Sequence, residues 1–124
     1  MATKRRNLPA QTALETLVSY NFVLALPGRA SSAHTQRAYF RWVDAYLVAV
    51  GGLKPSAGLA RLARMSALPV PLLQSVLTPP QFRAWLGSLA QQQHGKQGLN
   101  QARASIITLA SLLAAGLSGW PLLL

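Results

Sequence analysis

The sequence has almost no acidic residues and no cysteine. Of its 124 residues, 12 are Lys or Arg, and Glu15 and Asp44 are the acids, so the formal net charge is +10. The absence of cysteine excludes disulfides and thiolate metal sites. Two lone histidines, His34 and His94, cannot build a metal site with so few carboxylates. Because acid–base catalysis usually needs carboxylates or a placed histidine, we expect no catalytic residue, no metal and no cofactor.

The basic excess consists mostly of arginine, with nine Arg against three Lys. The planar guanidinium group contacts phosphate in a bidentate manner. This composition predicts an anionic partner, either nucleic acid or an acidic membrane surface.

Apolar spacing predicts an all-α fold with four main helices. The first is expected at about residues 9–26, before Pro27-Gly28, which should end it. Its apolar positions are Leu14, Leu17, Val18 and Phe22. The second lies within SSAHTQRAYFRWVDAYLVAV, residues 31–50, with Ser32 or Thr35 as its cap and Gly51-Gly52 at its end.

The second half of the chain predicts two further helices. Thr78-Pro79-Pro80 combines a capping hydroxyl with proline at the first helical positions, so a helix should begin there and end near Gln93. HGKQG, residues 94–98, is expected to be a turn before a fourth helix from about Leu99 to Ala115. Residues 53–77 are expected to be a connector with one or two helical turns, including AGLARLARM as a short basic helix.

Residues on the apolar stripes of these helices should share one core. They are Tyr39, Trp42, Tyr46, Phe82, Trp85 and Leu109. Ser105, Thr108 and Ser111 recur on another side of the fourth helix. Ile106 and Leu113 belong to its apolar face.

The cations of the second helix form a candidate binding face. Arg37 and Arg41 are four residues apart and share one side with His34. Asp44 follows three residues after Arg41 and is expected to offset part of this charge. A solvated surface would explain two arginines alone, but the chain offers them almost no acids as partners.

Residues 104–124 contain 21 positions without a charge, which is long enough to span a bilayer. A small basic membrane-associated protein anchored by this segment is therefore an alternative. Gly116, Gly119 and Pro121 interrupt it and favour a packed core helix with a tail. A helical module that binds an acidic protein partner is a third interpretation of the charge.

Three segments, in this order, resemble the core-binding domain of tyrosine-type recombinases and phage integrases. SSAHTQRAYFRWVDAYL is similar to the first helix of that domain, with Ser31 or Ser32, Thr35 and the pair Ala38-Tyr39 at the expected spacing. LTPPQFRAWLGSLAQQ resembles its next helix, and GKQGLNQARASIITLASLLAAGLSGWP its last. The resemblance covers roughly residues 10–121.

This resemblance implies a SAM-like helical bundle, like the N-terminal domain of lambda-type integrases, that clamps duplex DNA. The second helix would contact DNA through Thr35, Arg37 and Arg41. The turn and fourth helix would contribute Lys96, Gln97, Asn100, Gln101 and Arg103. Lys96 and Arg103 are expected to form one positive surface with Arg37 and Arg41, and the amides of Asn100 and Gln101 can read adenine edges.

The chain departs from the family in three respects. Residues 53–77 form a longer connector than the family usually carries, and Ala110 occupies a late basic position of the last helix. The catalytic Arg, His and nucleophilic Tyr of the family belong to a following domain. Tyr20, Tyr39 and Tyr46 do not match that nucleophile.

The sequence therefore predicts a basic tail at residues 1–8, a helical DNA-binding domain at 9–117, and a tail or interdomain linker at 118–124. The expected partners are double-stranded DNA and other recombinase protomers on it. The expected location is the cytoplasm of a bacterium or of a phage host, in association with the nucleoid. The expected role is DNA integration or recombination without catalysis by this chain.

Overall fold

A computed structural model describes residues 12–13, 19–92 and 94–118, with only the backbone for residues 12, 13 and 118. The described residues contain six α-helices, a short 3-10 helix at Leu26–Gly28 and four two-residue strands. The helices are α1 Phe22–Ala25, α2 Ala33–Ala49, α3 Gly58–Ser66, α4 Val70–Val76, α5 Pro79–Gln91 and α6 Lys96–Gly116. The strands are β1 Thr12–Ala13, β2 Ser19–Tyr20, β3 Leu68–Pro69 and β4 Leu117–Ser118. The described residues are mostly helical, which confirms the all-α class.

The strands form two small pairs that connect distant parts of the chain. β1 pairs with β4 in parallel, with Thr12 opposite Leu117. β2 pairs with β3 in antiparallel fashion, with Tyr20 opposite Leu68. A single helix over residues 9–26 is therefore wrong at both β1 and β2.

The first helix begins later than predicted because Asn21 is its cap. The Asn21 side chain accepts a hydrogen bond from the backbone N–H of Leu24 at 3.0 Å, which favours a helix start at the next residue. Only Phe22–Ala25 is α-helical, and the 3-10 turn that follows ends at Gly28. Residues 1–11 and the predicted stripe positions Leu14, Leu17 and Val18 lie outside the described residues.

The prediction for α2 is confirmed at both ends. Ser32 caps it by accepting a hydrogen bond from the backbone N–H of Thr35. After the helix, Gly52 takes a φ of +74°, a conformation that glycine adopts without steric cost.

The connector is more helical than predicted. AGLARLARM forms most of α3, as expected, and β3 then leads directly into α4. Proline at the start of α4 has no backbone N–H to lose there, so Pro71 fits the first turn.

Thr78 caps α5, as predicted, through a bond from the backbone N–H of Gln81. The helix ends at Gln91, and its predicted end at Gln93 lies outside the described residues. The turn prediction for HGKQG is wrong from Lys96 onward, because α6 begins there with Gly95 as its cap. The backbone N–H of Leu99 already bonds to the carbonyl of Gly95 at 3.0 Å, so the first helical turn is complete.

The core lies between α2, α5 and α6 and continues under α1, α3 and α4. Tyr46, Phe82, Trp85 and Leu109 belong to the buried cluster, as predicted. Tyr39 and Trp42 are only partly buried and pack against it. Ser105, predicted on a separate side of α6, is fully buried and satisfies its hydroxyl by donating to the carbonyl of Ala102.

Helix α2 is buried on two sides, which the stripe alone did not predict. One side carries Tyr46, whose ring contacts Trp85 edge to face at 4.9 Å. The other carries Phe40, which contacts Phe22 of α1 in the same geometry at 5.6 Å. The exposed strip of α2 lies between these sides and contains His34, Arg37 and Arg41.

Among the helices that the structure describes, none combines the length and the hydropathy needed to cross a membrane.

Candidate nucleic-acid interface

Asp44 is the only acidic residue within the described part of the chain, and it is buried at 2 % exposure. Its carboxylate accepts a hydrogen bond from the Arg64 guanidinium at 2.7 Å. The Ser56 hydroxyl donates to the same carboxylate at 2.6 Å, and Arg61 lies 3.9 Å away. The acid is thus enclosed by a serine and two arginines of the connector.

The network determines the charge state of Asp44. Burial raises the pKa of the carboxyl, but the hydrogen bonds from Ser56 and Arg64 and the charge of Arg64 outweigh burial, so the pKa of Asp44 lies below its ordinary value. The ionised carboxylate therefore pairs with Arg61 and Arg64. The expectation that Asp44 offsets Arg41 is wrong, because the side chain points to α3.

Arg37 and Arg41 are both exposed on α2. The Arg41 guanidinium lies 5.9 Å from the centre of the Trp42 ring, a distance at which a cation and an aromatic face attract each other. Within the described residues, neither arginine forms an ion pair. Both cations therefore remain available to an anionic partner.

Trp42 connects this strip to the beginning of α6. Its indole N–H donates a hydrogen bond to the Gln101 side-chain oxygen at 3.2 Å. Its ring meets His94 edge to face at 5.7 Å. Further along, Arg29 before α2 donates to the Ser111 hydroxyl at 3.1 Å, so α2 and α6 run in opposite directions.

The predicted residues of α6 divide between two flanks of the helix. A helix turns by about 100° per residue, which places Gln97 within about 40° of Gln101, on the flank next to Trp42. In one sense of rotation, Lys96 lies about 220° and Arg103 about 200° from Gln101, so these two cations share a side of the helix. That side is turned away from Gln101, and one positive surface of Lys96 and Arg103 with Arg37 and Arg41 stays a prediction.

The remaining predicted residues are placed as follows. Thr35 is partly buried in the first turn of α2, and Asn100 is exposed on α6. Gln101 uses its amide oxygen for Trp42, so that oxygen is already engaged when Gln101 meets an adenine edge.

Sequence reasoning missed three exposed cations, Arg29, Lys54 and Arg83. The absence of acidic residues near them in the sequence could have identified these cations as candidates. It also missed that Arg61 and Arg64 enclose Asp44, because a contact over 20 residues along the chain leaves no periodic pattern.

No cluster of three metal-ligating side chains occurs among residues 12–13, 19–92 and 94–118.

Comparisons of the chain with protein-family models, with curated proteins and with solved structures find no match. The resemblance to recombinases thus rests on the three sequence segments that carry it.

Proposed function

We propose that this chain is the DNA-binding domain of a tyrosine-type site-specific recombinase, with a SAM-like helical bundle. It clamps duplex DNA through phosphate contacts and acts in DNA integration and recombination together with a catalytic domain. The observation that carries the proposal is the enclosure of Asp44. It removes Asp44 from the surface and leaves Arg37 and Arg41 exposed, with no carboxylate partner among the described residues.

In this proposal the strip of α2 is the principal contact with DNA. Arg37 and Arg41 bind phosphates of one backbone, and Thr35 and Gln97 add hydrogen bonds beside them. Lys96 and Arg103 bind phosphates from their own flank of α6. Phosphate contacts of this kind position a protein on DNA without reading its sequence.

Sequence preference is assigned to Asn100 and, to a lesser extent, Gln101. An exposed amide can form two hydrogen bonds with an adenine edge in the major groove. Asn100 is exposed, whereas Gln101 already uses its amide oxygen for Trp42. The proposal gives the chain no strand cleavage of its own, since a nucleophile paired with a base is needed for that chemistry.

The proposal is tested by fluorescence anisotropy with a labelled duplex of mixed sequence at fixed salt. The double variant Arg37→Ala/Arg41→Ala is expected to bind about tenfold more weakly than the wild type, since charge-assisted hydrogen bonds are lost. Lys54→Ala/Arg83→Ala removes the same net charge elsewhere and is the matched control. Equal weakening in both double variants would mean that only the total charge matters, and the proposed face would be rejected.

A further inference from the structure

A groove of about 420 Å3 lies between α2 and α3. Its lining residues are Arg37, Phe40, Gly58, Leu59, Arg61 and Leu62. The volume is within the range of roughly 300–1,000 Å3 that is usual for ligand-binding clefts. Asp44 and Ser56 hold Arg61, so one wall of the groove is fixed by the network described above.

The apolar part of the groove is unusually exposed. Leu59 is 84 % and Leu62 is 43 % exposed, and they lie three residues apart on α3. Side chains at this spacing are neighbours on one face of a helix. Phe40 of α2, which is buried, lines the same groove. Two poorly hydrated leucine side chains therefore project from an apolar surface, and the space of the groove lies beside them.

The charged residues that line the groove are arginines. Arg37 is exposed at its edge and forms no ion pair with any described residue. Arg61 uses part of its guanidinium for the Ser56 carbonyl and lies 3.9 Å from Asp44. A ligand that carries carboxylates beside apolar side chains would therefore meet the arginines and the exposed leucines in the same groove.

We propose that this groove binds an acidic amphipathic helix of a partner protein. Such a helix lays an apolar face into a groove through anchors spaced by three and four residues. Leucine-type anchors would cover Leu59, Leu62 and the Phe40 surface, and flanking Asp or Glu would pair with Arg37. This site goes beyond DNA binding and does not depend on it.

Charge and chemistry favour this occupant over two others. A second copy of the chain carries the same net charge of +10, which opposes association across a groove edged by arginine. Duplex DNA offers phosphates to Arg37 but no apolar surface for the two exposed leucines. Because Arg37 belongs to both surfaces, the bound helix would also compete with DNA at this side of α2.

The experiment uses the whole chain and a fluorescein-labelled peptide of Leu, Glu and Ala, about 18 residues or five helical turns long. Its leucines occupy one face and its glutamates flank them. A scrambled peptide of the same composition keeps the charge but loses the apolar face, and a third peptide replaces Glu with Lys. Binding is measured by anisotropy, and thermal unfolding checks that each variant is folded.

The amphipathic acidic peptide is expected to bind, and both other peptides are expected to bind at least about tenfold more weakly. Leu59→Ser should weaken the peptide by about tenfold or more, because a leucine contact is lost, and should leave duplex binding unchanged. Arg37→Ala should weaken both ligands. Arg83→Ala, which changes the same charge outside the groove, should leave the peptide affinity unchanged.

Equal binding of the scrambled peptide, or insensitivity to both Leu59→Ser and Arg37→Ala, would overturn the groove as the binding site. Failure of the wild type to bind the peptide would also overturn it, while duplex binding in the same preparation would leave the DNA proposal standing. Peptide binding without duplex binding would reject the DNA proposal alone.

Discussion

Asp44 shows how a single buried residue determines which cations remain on the surface. Arg61 and Arg64 reach a carboxylate and are half-buried, whereas Arg37 and Arg41 are exposed. A buried ionised acid is tolerated only when partners compensate its lost hydration. Ser56, Arg61 and Arg64 supply that compensation and at the same time attach the connector to α2.

Replacement of Asp44 by Asn should destabilise the protein by about 1–3 kcal/mol, the usual range when charged hydrogen bonds are lost. The pKa of Asp44 is lowered in the folded state, so its contribution is present above the unfolded pKa near 4 and is lost as the pH falls through the folded value. Urea unfolding between pH 7 and pH 2.5 measures this.

The wild type should lose stability relative to the Asn variant as the pH drops below about 4. Parallel curves for the two proteins over that range would show that the carboxylate contributes no pH-dependent stability.

Tyr46 is a second residue whose polar atom is satisfied inside the core. Its hydroxyl donates to the carbonyl of Val76 at 2.6 Å, and burial raises the pKa of Tyr46 to about 12. Tyr46→Phe should cost about 1–2 kcal/mol because the Val76 carbonyl is left without this donor. Tyr39→Phe, at a partly buried ring, is the control and should change the free energy of unfolding by less than about 0.5 kcal/mol. Equal losses in the two variants would contradict the assigned hydrogen bond.

At the scale of the element, capping residues were the most reliable signals in the sequence. Ser32 and Thr78 are polar caps directly before a strong apolar stripe, and both begin helices where predicted. Asn21 is also a cap, but the stripe around it suggested a continuous helix. The pairing of β2 with β3 depends on contacts between residues 48 and 50 positions apart, which no local pattern reports.

The candidate site, too, could be predicted from the sequence only where local patterns determine it. The exposure of Arg37 and Arg41 follows from the helical period of α2 and was predictable from the sequence. The orientation of α6 was not, because contacts between α2 and α6, such as the bond between Trp42 and Gln101, join residues far apart in the chain. The start of α6 at Lys96 was not predicted because the cap is a glycine, and glycine has no side chain that marks a helix start in the sequence.

The end of α2 gives a test of how closely the chain packs against its own helix. A Cβ atom added at Gly51 would lie 2.7 Å from the Leu47 carbonyl oxygen, whereas one added at Gly87 in α5 meets nothing within 4 Å. Gly51→Ala should therefore destabilise by about 1–3 kcal/mol. Gly87→Ala should stabilise by about 0.5–1 kcal/mol because alanine favours the helix interior. Chemical denaturation of both variants checks the pair, and a neutral Gly51→Ala would show that the turn relaxes freely.

At the scale of the whole molecule, the outstanding property is charge that has no internal partner. The net charge of +10 rests on 12 cations and two acids, one of which is enclosed in the core. Charge of one sign keeps a protein soluble but opposes its own compaction. In the proposed function, a phosphate backbone would relieve this repulsion.

The most direct test of this account is the salt dependence of duplex binding. If about five phosphates are neutralised, log affinity should fall with log salt at a slope of about −4 to −5. Arg37→Ala/Arg41→Ala should reduce the magnitude of that slope by up to about 2 and weaken binding to all sequences. Lys54→Ala/Arg83→Ala should keep the wild-type slope. An Arg37→Ala/Arg41→Ala protein with the affinity and slope of the wild type would contradict the assignment of the DNA-binding face to α2.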